Sequence, residues 1–241
     1  MKLSILIPVY NEKGTLSDVV SHVIKQDVEG VDSKEVIIVD DGSNDGSQGI
    51  IEDLMKRHPE DIKSFFQPRN MGKGSAIRKA IELASGDIAI IQDADLEYDP
   101  SDYPDLIMPI LKGHADVVFG TRFMSNGPHR ALYFRHAVGN RLLTLLSNML
   151  TNLHLTDMET GYKVFRLDIL KTIPLRSNRF GFEPEITAKI ARRNLRIFEV
   201  PISYFGRTYG EGKKVTWKDG LQAIWVIFKY WLIDDSFKKI K

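Results

Sequence analysis

The sequence predicts an α/β fold whose mostly parallel sheet carries helices on both faces. Three features of the chain support this prediction. Apolar segments of strand length alternate with helix-like segments through the first half, as they do in the βα units of parallel sheets. The segment at residues 88–92 is apolar almost throughout, which is typical of a strand buried on both faces. Polar or glycine-rich clusters follow the apolar segments, at the strand ends where open α/β sheets bind ligands.

The predicted elements follow one another regularly as far as residue 121. Strands are predicted at residues 3–9, 35–39, 62–66, 88–92 and 116–119. Helices are predicted between them at residues 14–25, 47–57, 75–84 and 104–112. The rhythm then changes, and the pattern predicts helices at residues 136–152, 183–193 and from about 217, with short strands at 162–166 and 196–200.

Length and composition are those of one ordinary soluble globular domain. The 241 residues are 43% hydrophobic and 27% charged, and a chain of this length is short for two domains. The sequence contains no cysteine, which excludes disulfides, thiolate zinc sites and cysteine nucleophiles and agrees with a reducing cytosol. The apolar run after Met1 is very short, so no signal peptide is expected.

Charge is distributed unevenly between the two halves. Residues 1–116 hold 22 acidic and 12 basic side chains, whereas residues 117–241 hold 10 acidic and 21 basic ones. A basic second half suggests that it binds an anion. No zinc-finger or helix-turn-helix signature is present, so no nucleic-acid partner is expected. A phosphate-bearing lipid or a membrane surface fits this charge better.

The most informative motif is Asp93-Ala94-Asp95, which follows the apolar run at residues 88–92. Carboxylates two positions apart project on the same side of an extended chain. At the carboxyl end of a strand they stand at the lip of the sheet. Such hard oxygen ligands suit Mg²⁺ or Mn²⁺ carrying a diphosphate, with a solvated turn as the alternative.

Two further clusters end the first and second predicted strands. Pro8-Val9-Tyr10-Asn11-Glu12 is either an ordinary turn or a nucleotide site, in which Tyr10 stacks on the base and Glu12 lies beside the ribose. Asp40-Asp41-Gly42-Ser43 is either a helix cap or a site where a carboxylate accepts a hydrogen bond from the base. These residues alone leave both alternatives open.

Together, the strings PVYNE, VDDGSNDGS, NMGKGSA, QDADLE and GTR resemble, in order and spacing, glycosyltransferase family 2. The resemblance covers nearly the whole chain. The later strings EVPI and RTYGEGK are similar to the tail of the polyprenyl-phosphate glycosyltransferases, a subgroup that includes dolichol-phosphate mannose synthases. The resemblance implies the GT-A fold, a Rossmann-like mostly parallel sheet with a C-terminal acceptor-side extension that ends in an amphipathic helix. It implies one domain over residues 1–241, with a nucleotide-sugar part (1–120), an acceptor-side part (121–215) and a C-terminal helix with a basic tail (216–241).

The resemblance also implies a donor site. Glu97 stands where the mannose synthases carry a glutamine in the metal shell, so the oxygen ligand is kept and a charge is added. Residues 71–74 would pass beneath the nucleotide, where glycines permit close approach of the backbone. The implied metal ligands, for Mg²⁺ or Mn²⁺, are Asp93, Asp95 and Glu97. The implied nucleotide-sugar contacts are Pro8, Tyr10, Glu12, Asp40, Asp41, Lys73, Asp93, Ala94, Asp95, Arg207 and Lys213.

On the acceptor side, Arg122 follows the fifth predicted strand. The resemblance implies that it binds the acceptor phosphate, for which the rigid guanidinium fork is well suited; a surface ion pair is the alternative. The implied acceptor-phosphate residues are Arg122, Arg135, His136 and Asn140. The implied catalytic residues are Asp95, Arg122 and Arg207.

The implied reaction is an inverting transfer from GDP-mannose or a UDP-hexose to dolichyl or undecaprenyl phosphate. A phosphomonoester is largely anionic at neutral pH and needs no strong general base. Neither His136 nor His154 is expected to act as a general base. Glu183 and Glu185 are expected to stabilise the start of a helix.

Two competing hypotheses remain open. The acceptor is alternatively a sugar hydroxyl in a cell-surface polysaccharide, in which case a base is needed and Glu183 gains importance. The chain is alternatively a nucleotide-sugar-binding scaffold without turnover. The presence of both phosphate sites, with Asp95 and Arg207 on one side and Arg122 on the other, argues against the scaffold.

Membrane contact is predicted for the C-terminal part. The apolar segment at residues 221–233 is too short to span a bilayer. Its aromatic residues Trp225, Tyr230 and Trp231 suit the headgroup zone, and Lys238, Lys239 and Lys241 suit anionic lipid. Packing on the core or on a partner is the alternative. We expect a cytoplasmic protein that is peripheral at the inner face of the membrane, or that depends on a membrane subunit or a homodimer contact.

Overall fold

The computed structural model describes residues 1–124, 130, 133–208 and 217–233. Its strands are β1 (Lys2–Val9), β2 (Ser33–Asp40), β3 (Ile62–Phe66), β4 (Ile88–Ile91), β5 (Val117–Thr121), β6 (Lys163–Arg166) and β7 (Ile197–Pro201). Its helices are α1 (Leu16–Lys25), α2 (Ser47–Arg57), α3 (Lys73–Leu83), α4 (Tyr103–Leu111), α5 (Phe134–Thr151), α6 (Leu167–Lys171), α7 (Phe182–Ala191) and α8 (Trp217–Phe228). A 3₁₀ turn (Pro100–Asp102) precedes α4, and a π-helical turn (Lys229–Ile233) follows α8.

The strands form one seven-stranded sheet in the order β3-β2-β1-β4-β6-β5-β7. All neighbouring strands are parallel except at β6, which runs antiparallel to both β4 and β5. In this register Val164 pairs with Ile90 on one side and with Val118 on the other. Because β6 is reversed, the residues that precede it lie at the edge where β4 and β5 end. The predicted mostly parallel sheet is confirmed, and the reversal of β6 decides which loops reach that edge.

Hydrophobic cores cover both faces of the sheet. In β1, Leu3, Ile5 and Ile7 pack with α1, α2 and α4, whereas Leu6 packs with α3 and α7 on the opposite face. All four side chains are fully buried, which explains why β1 reads as an apolar run rather than an alternating one.

Helix α3 begins two residues earlier than predicted, at Lys73. Gly72, which precedes it, has a φ of +99°, and a Cβ there would lie 2.7 Å from Arg179 Cγ. The Ser75 amide donates to the Asn178 carbonyl at 3.1 Å. The glycines before and within α3 therefore let the helix start against a second chain segment, a reason that differs from the predicted close approach to a nucleotide.

Further differences from the sequence pattern lie in the helices after β5. Helix α6 has only five residues and is too short to show a helical period. Helix α8 packs against α5 and α7. Tyr230 is buried beside Ala188 and Val226, so its predicted position in a headgroup zone is wrong. Within the described residues, no helix combines the length and the apolar character needed to cross a membrane.

Candidate functional site

A cavity of about 1230 Å³ opens at the edge of the sheet where the parallel strands end. It lies between the loops that follow β1, β2 and β4 and the helices α5 and α8. Most of the sequence-predicted site residues line it, namely Pro8, Tyr10, Glu12, Asp41, Lys73, Asp93, Ala94, Asp95, Glu97, Arg122, Arg135, His136, Asn140 and Arg207. Lys213 lies outside the described residues.

Arg207 gathers the carboxylates on one wall of the cavity. Its guanidinium lies 2.7 Å from Asp95 Oδ2 and 3.5 Å from both Glu12 Oε2 and Glu97 Oε1. Its backbone amide donates to Glu97 Oε1 at 2.8 Å, and the Tyr204 hydroxyl donates to Glu97 Oε2 at 2.7 Å. Burial and the charges of neighbouring carboxylates raise the pKa of Asp95 to about 7. This wall therefore concentrates negative charge that a cation stabilises.

Lys73, the first residue of α3, joins two further carboxylates. Its ammonium lies 2.9 Å from Asp93 Oδ1 and 3.1 Å from Glu183 Oε1. The sequence predicted that Glu183 stabilises the start of α7; the structure adds that Glu183 lines the cavity. Burial lowers the pKa of Lys73, but the charges of Asp93 and Glu183 outweigh this effect and raise that pKa well above its usual value. Lys73 is therefore a fixed positive charge at the floor of the cavity.

Arg122, at the end of β5, forms a two-pronged ion pair with Asp157. Its Nε lies 2.6 Å from Asp157 Oδ2, and its second terminal nitrogen donates to Oδ1 at 2.7 Å. Asn140 donates to the same carboxylate at 2.9 Å, and the Tyr204 ring lies 5.1 Å from the guanidinium carbon. The pair is buried, not the surface ion pair considered as an alternative, so the orientation of Arg122 toward the cavity is fixed.

The two carboxylates after β2 have different surroundings. Asp41 lines the cavity and accepts hydrogen bonds from the Met71 and Gly72 amides at 2.7 and 2.8 Å. Burial raises the pKa of Asp41. Asp40 is fully buried and does not line the cavity. Its Oδ2 accepts from the Gly42 and Ser43 amides within the loop. The geometry therefore favours Asp41 over Asp40 as the residue that faces a ligand.

The predicted acceptor residues lie at the other end of the cavity. Arg135 and His136 are on the first turn of α5, and Asn140 is one turn further along. The same helix adds an apolar wall, which α8 extends. Its members that line the cavity are Leu142, Leu143, Leu146, Leu221, Ala223 and Ile224. Charged and apolar surfaces thus meet in one cavity.

Sequence reasoning missed Glu159, which also lines the cavity. It belongs to the string DMETGYK before β6. The sequence predicted this strand but not its direction, and only a reversed β6 brings the preceding loop to the site. Burial and the charge of Glu183 raise the pKa of Glu159 to about 8. A glutamate and a glycine directly before a short strand were the available signal.

A divalent ion in this cavity would take its protein ligands from the carboxylates around Asp95. Among the described residues, no three Asp, Glu, His or Cys side chains form a group that holds a metal ion by itself. Asp93 is engaged by Lys73, and Glu97 by Tyr204 and Arg207. Mg²⁺ usually binds through one or two carboxylates together with substrate phosphates. The oxygen donors around Asp95 fit an ion of this kind that arrives with a diphosphate.

Comparison with known proteins gives one matching family model, described as glycosyl transferase family 2, over residues 4–173. The chain is 30% identical over 211 residues to an undecaprenyl-phosphate 4-deoxy-4-formamido-L-arabinose transferase of Aeromonas hydrophila, with 88% of this chain and 62% of that protein covered. It is 27% identical over 215 residues to a dolichol-phosphate mannosyltransferase of Pyrococcus furiosus, with 88% and 59% covered. The chain therefore spans about three fifths of the length of these relatives.

Among solved structures, glucosyl-3-phosphoglycerate synthase of Mycobacterium tuberculosis is similar over 98% of this chain and 81% of its own, with a TM-score of 0.72 and 21% identity. That crystal contains Mn²⁺, uridine diphosphate and glucosyl-3-phosphoglycerate. A crystal of the same enzyme with Mg²⁺ and uridine diphosphate gives a TM-score of 0.69. At this identity the likeness concerns the fold, and it confirms the predicted GT-A architecture.

Proposed function

The chain belongs to glycosyl transferase family 2, and on this premise we propose that it transfers a sugar from a nucleotide sugar to the phosphate of a polyprenyl phosphate. One observation carries the proposal. A single cavity combines an acidic wall around Asp95, a fixed cation at Arg122 and an apolar wall from α5 and α8. The acidic wall suits a diphosphate with its metal ion, and the cation at Arg122 suits a phosphate. The apolar wall suits a lipid chain.

The proposed donor is a nucleotide sugar such as GDP-mannose or a UDP-hexose. Tyr10 is partly exposed on the cavity wall, where it would stack on the base. Asp41 and Glu12 supply acceptors for base and ribose. Asp95, with Asp93 and Glu97 around it, would hold a Mg²⁺ or Mn²⁺ ion. When bound, that ion supplies positive charge to the leaving diphosphate.

The proposed acceptor binds through its phosphate at Arg122, with Arg135, His136 and Asn140 nearby. A phosphate oxygen attacks the anomeric carbon, and the bond from that carbon to the diphosphate breaks with its electron pair leaving on the nucleotide. The anomeric configuration is inverted. Because the attacking oxygen is already ionised at neutral pH, the residues around it need to orient it and offset charge rather than remove a proton.

A peripheral position on a membrane agrees with the outer surfaces of α5 and α8. Phe134 and Met149 of α5 are 79% and 74% exposed, and Trp225 of α8 is 59% exposed. Exposed apolar residues of this size on two packed helices are typical of an interaction surface, and a bilayer would supply the lipid acceptor directly. We therefore propose that these helices contact the inner face of the membrane. The predicted contributions of Lys238, Lys239 and Lys241 lie outside the described residues.

A second candidate acceptor is a sugar hydroxyl. It is favoured by the position of Glu183 on the cavity wall, 3.1 Å from Lys73, since a hydroxyl acceptor requires a general base. The apolar wall has no evident use in that reaction, and for this reason the lipid phosphate is preferred.

The deciding experiment incubates the purified chain with undecaprenyl or dolichyl phosphate in detergent, a panel of UDP- and GDP-sugars, and Mn²⁺. Mass spectrometry of the lipid fraction should detect a glycosyl phosphate lipid that disappears when Mn²⁺ is chelated. Sugar transfer to glycans alone would favour the hydroxyl acceptor. Donor binding without any transfer or hydrolysis would favour a scaffold.

A further inference from the structure

Two residues that line the cavity each carry a buried carboxylate oxygen that no other described group satisfies. Glu159 Oε1 and Glu183 Oε2 are buried and have no hydrogen-bond partner among the described residues. Both residues line the cavity, and Glu183 is only 5% exposed. Buried polar atoms without partners are rare in folded proteins, and each calls for an explanation such as a bound ligand.

The loop that carries Glu159 is held in place from two sides. Buried Lys163 donates to the carbonyl oxygens of Met158, at 3.1 Å, and Thr160. The Gly161 amide donates to the Tyr98 hydroxyl at 2.8 Å, and a Cβ on Gly161 would lie 2.9 Å from Tyr98 Cε2. These contacts fix the backbone on both sides of Glu159. The backbone position of Glu159 is therefore set before any ligand arrives.

The two glutamates line the same cavity as the proposed donor and acceptor residues. On one side, Glu183 Oε1 pairs with Lys73, which also holds Asp93. On the other side, Glu159 stands two positions after Asp157, the carboxylate that pairs with Arg122. The sugar in transit has to occupy the space between the leaving diphosphate and the attacking phosphate. Sugar hydroxyls form hydrogen bonds with carboxyl groups, whether these are ionised or protonated.

We propose that Glu159 and Glu183 form the subsite for the transferred sugar, each making a hydrogen bond with a ring hydroxyl. The inference rests on the proposed function and adds to it the residues that select the sugar. A carboxyl group with a pKa near 8 is mostly protonated at neutral pH, so Glu159 can both donate to and accept from a hydroxyl. Hydrogen bonds between buried polar groups and hydroxyls discriminate strongly among sugars, because a missing hydroxyl leaves the protein group unpaired.

The test uses calorimetry on the full chain with Mn²⁺ to compare its affinity for a nucleoside diphosphate with its affinity for the corresponding nucleotide sugar. The probes are UDP, GDP, UDP-glucose, UDP-N-acetylglucosamine and GDP-mannose. For the preferred donor, Glu159→Ala should weaken nucleotide-sugar binding by about tenfold or more, as expected for one buried hydrogen bond. Binding of the matching nucleoside diphosphate should be unchanged. Glu159→Gln should give a smaller loss, and Glu82→Gln, an exposed carboxylate paired with Lys79, is the matched control.

Unchanged affinity of Glu159→Ala for the nucleotide sugar would overturn the subsite. Equal losses for nucleotide and nucleotide sugar would also overturn it, because Glu159 would then support the nucleotide site or the fold. Wild-type protein that binds neither diphosphate nor any nucleotide sugar would instead refute the proposed function, and the subsite with it. The wild-type titrations thus separate failure of the function from failure of the subsite.

Discussion

Arg207 forms an ion pair with Asp95, and its guanidinium lies 2.7 Å from that carboxylate although 112 positions separate the two residues in sequence. The family resemblance implies that Arg207 contacts the donor diphosphate and that Asp95 binds the metal ion. In the structure the two predicted partners of an incoming ligand are paired with each other. A divalent ion held at Asp95 would therefore compete with Arg207, and the released guanidinium would then be available to the diphosphate.

This competition predicts that Arg207→Ala binds Mn²⁺ more tightly than wild type in the absence of nucleotide. The gain should be roughly tenfold, corresponding to about 1.4 kcal/mol for one charged hydrogen bond. Asp95→Asn should bind Mn²⁺ far more weakly, because the amide lacks the charge that holds the ion. Calorimetry or Mn²⁺ paramagnetic resonance measures both. Both variants should lose transfer activity, and Asp53→Asn, which changes an exposed carboxylate paired with Lys56, is the control. Weaker Mn²⁺ binding by Arg207→Ala would contradict the competition.

The buried Arg122–Asp157 pair predicts a double-variant effect on stability. Arg122→Ala leaves a fully buried carboxylate with its charge uncompensated, which should cost about 3–5 kcal/mol of unfolding free energy. Adding Asp157→Asn should restore much of that loss. Denaturant unfolding of both variants tests this. Arg122→Lys keeps the charge but loses the two-pronged geometry, so it should reduce transfer to lipid phosphate while donor affinity changes little. Additive losses in the double variant would argue against the pairing.

The raised pKa of Glu159 predicts how the free energy of unfolding changes with pH. The pKa of its carboxyl group is about 8 in the folded protein, whereas the ordinary value for a glutamate is 4.5. Between these values the folded state retains a proton that the unfolded state has released, so this group makes the free energy of unfolding fall as pH rises, by at most about 1.4 kcal/mol per pH unit. Glu159→Gln should therefore be more stable than wild type at pH 7.5 and should lose less stability between pH 5 and 7.5.

Thermal melting across that range compares the two proteins. Above pH 8 the stability profile no longer reports on Glu159 alone. Burial lowers the pKa of Lys163 to about 8, so this lysine also titrates there. Lys163 contributes with the opposite sign, since above its folded pKa the unfolded state holds more protons. Parallel pH profiles for wild type and Glu159→Gln would show that Glu159 is ionised in the fold.

The outer surfaces of α5 and α8 predict binding to lipid vesicles. Replacing Leu145, Met149 and Trp225 by serine together should markedly reduce cosedimentation with phosphatidylglycerol-containing vesicles, because apolar area contributes about 25 cal/mol per Å² buried. All three side chains are exposed, so the fold should persist. Phe66→Ser, at an exposed position on β3, should bind vesicles as wild type does. Unchanged sedimentation of the triple variant would place membrane contact elsewhere.

Much of the fold was predictable because its signals are local. The strand at β1 and the helix at α2 show in the sequence as an apolar run and an amphipathic period, and both have close to their predicted bounds. The clusters around Tyr10 and Asp95 were found because they follow such strands, and both line the cavity. Asp40 and Asp41 are adjacent acids after one strand, and only the folded loop distinguishes the one that faces the cavity.

The sequence by itself determined the βα order, the acidic and basic halves and the motifs at the strand ends, because each depends on neighbouring residues and on the period of an extended or helical chain. Tertiary structure alone decided the direction of β6, and with it the arrival of Glu159 in the cavity that Glu183 also lines. It also decided that Arg207 pairs with Asp95 and that Arg122 pairs with Asp157. These relationships join distant parts of the chain through packing and charge, and no local pattern encodes which distant partner a charged side chain meets.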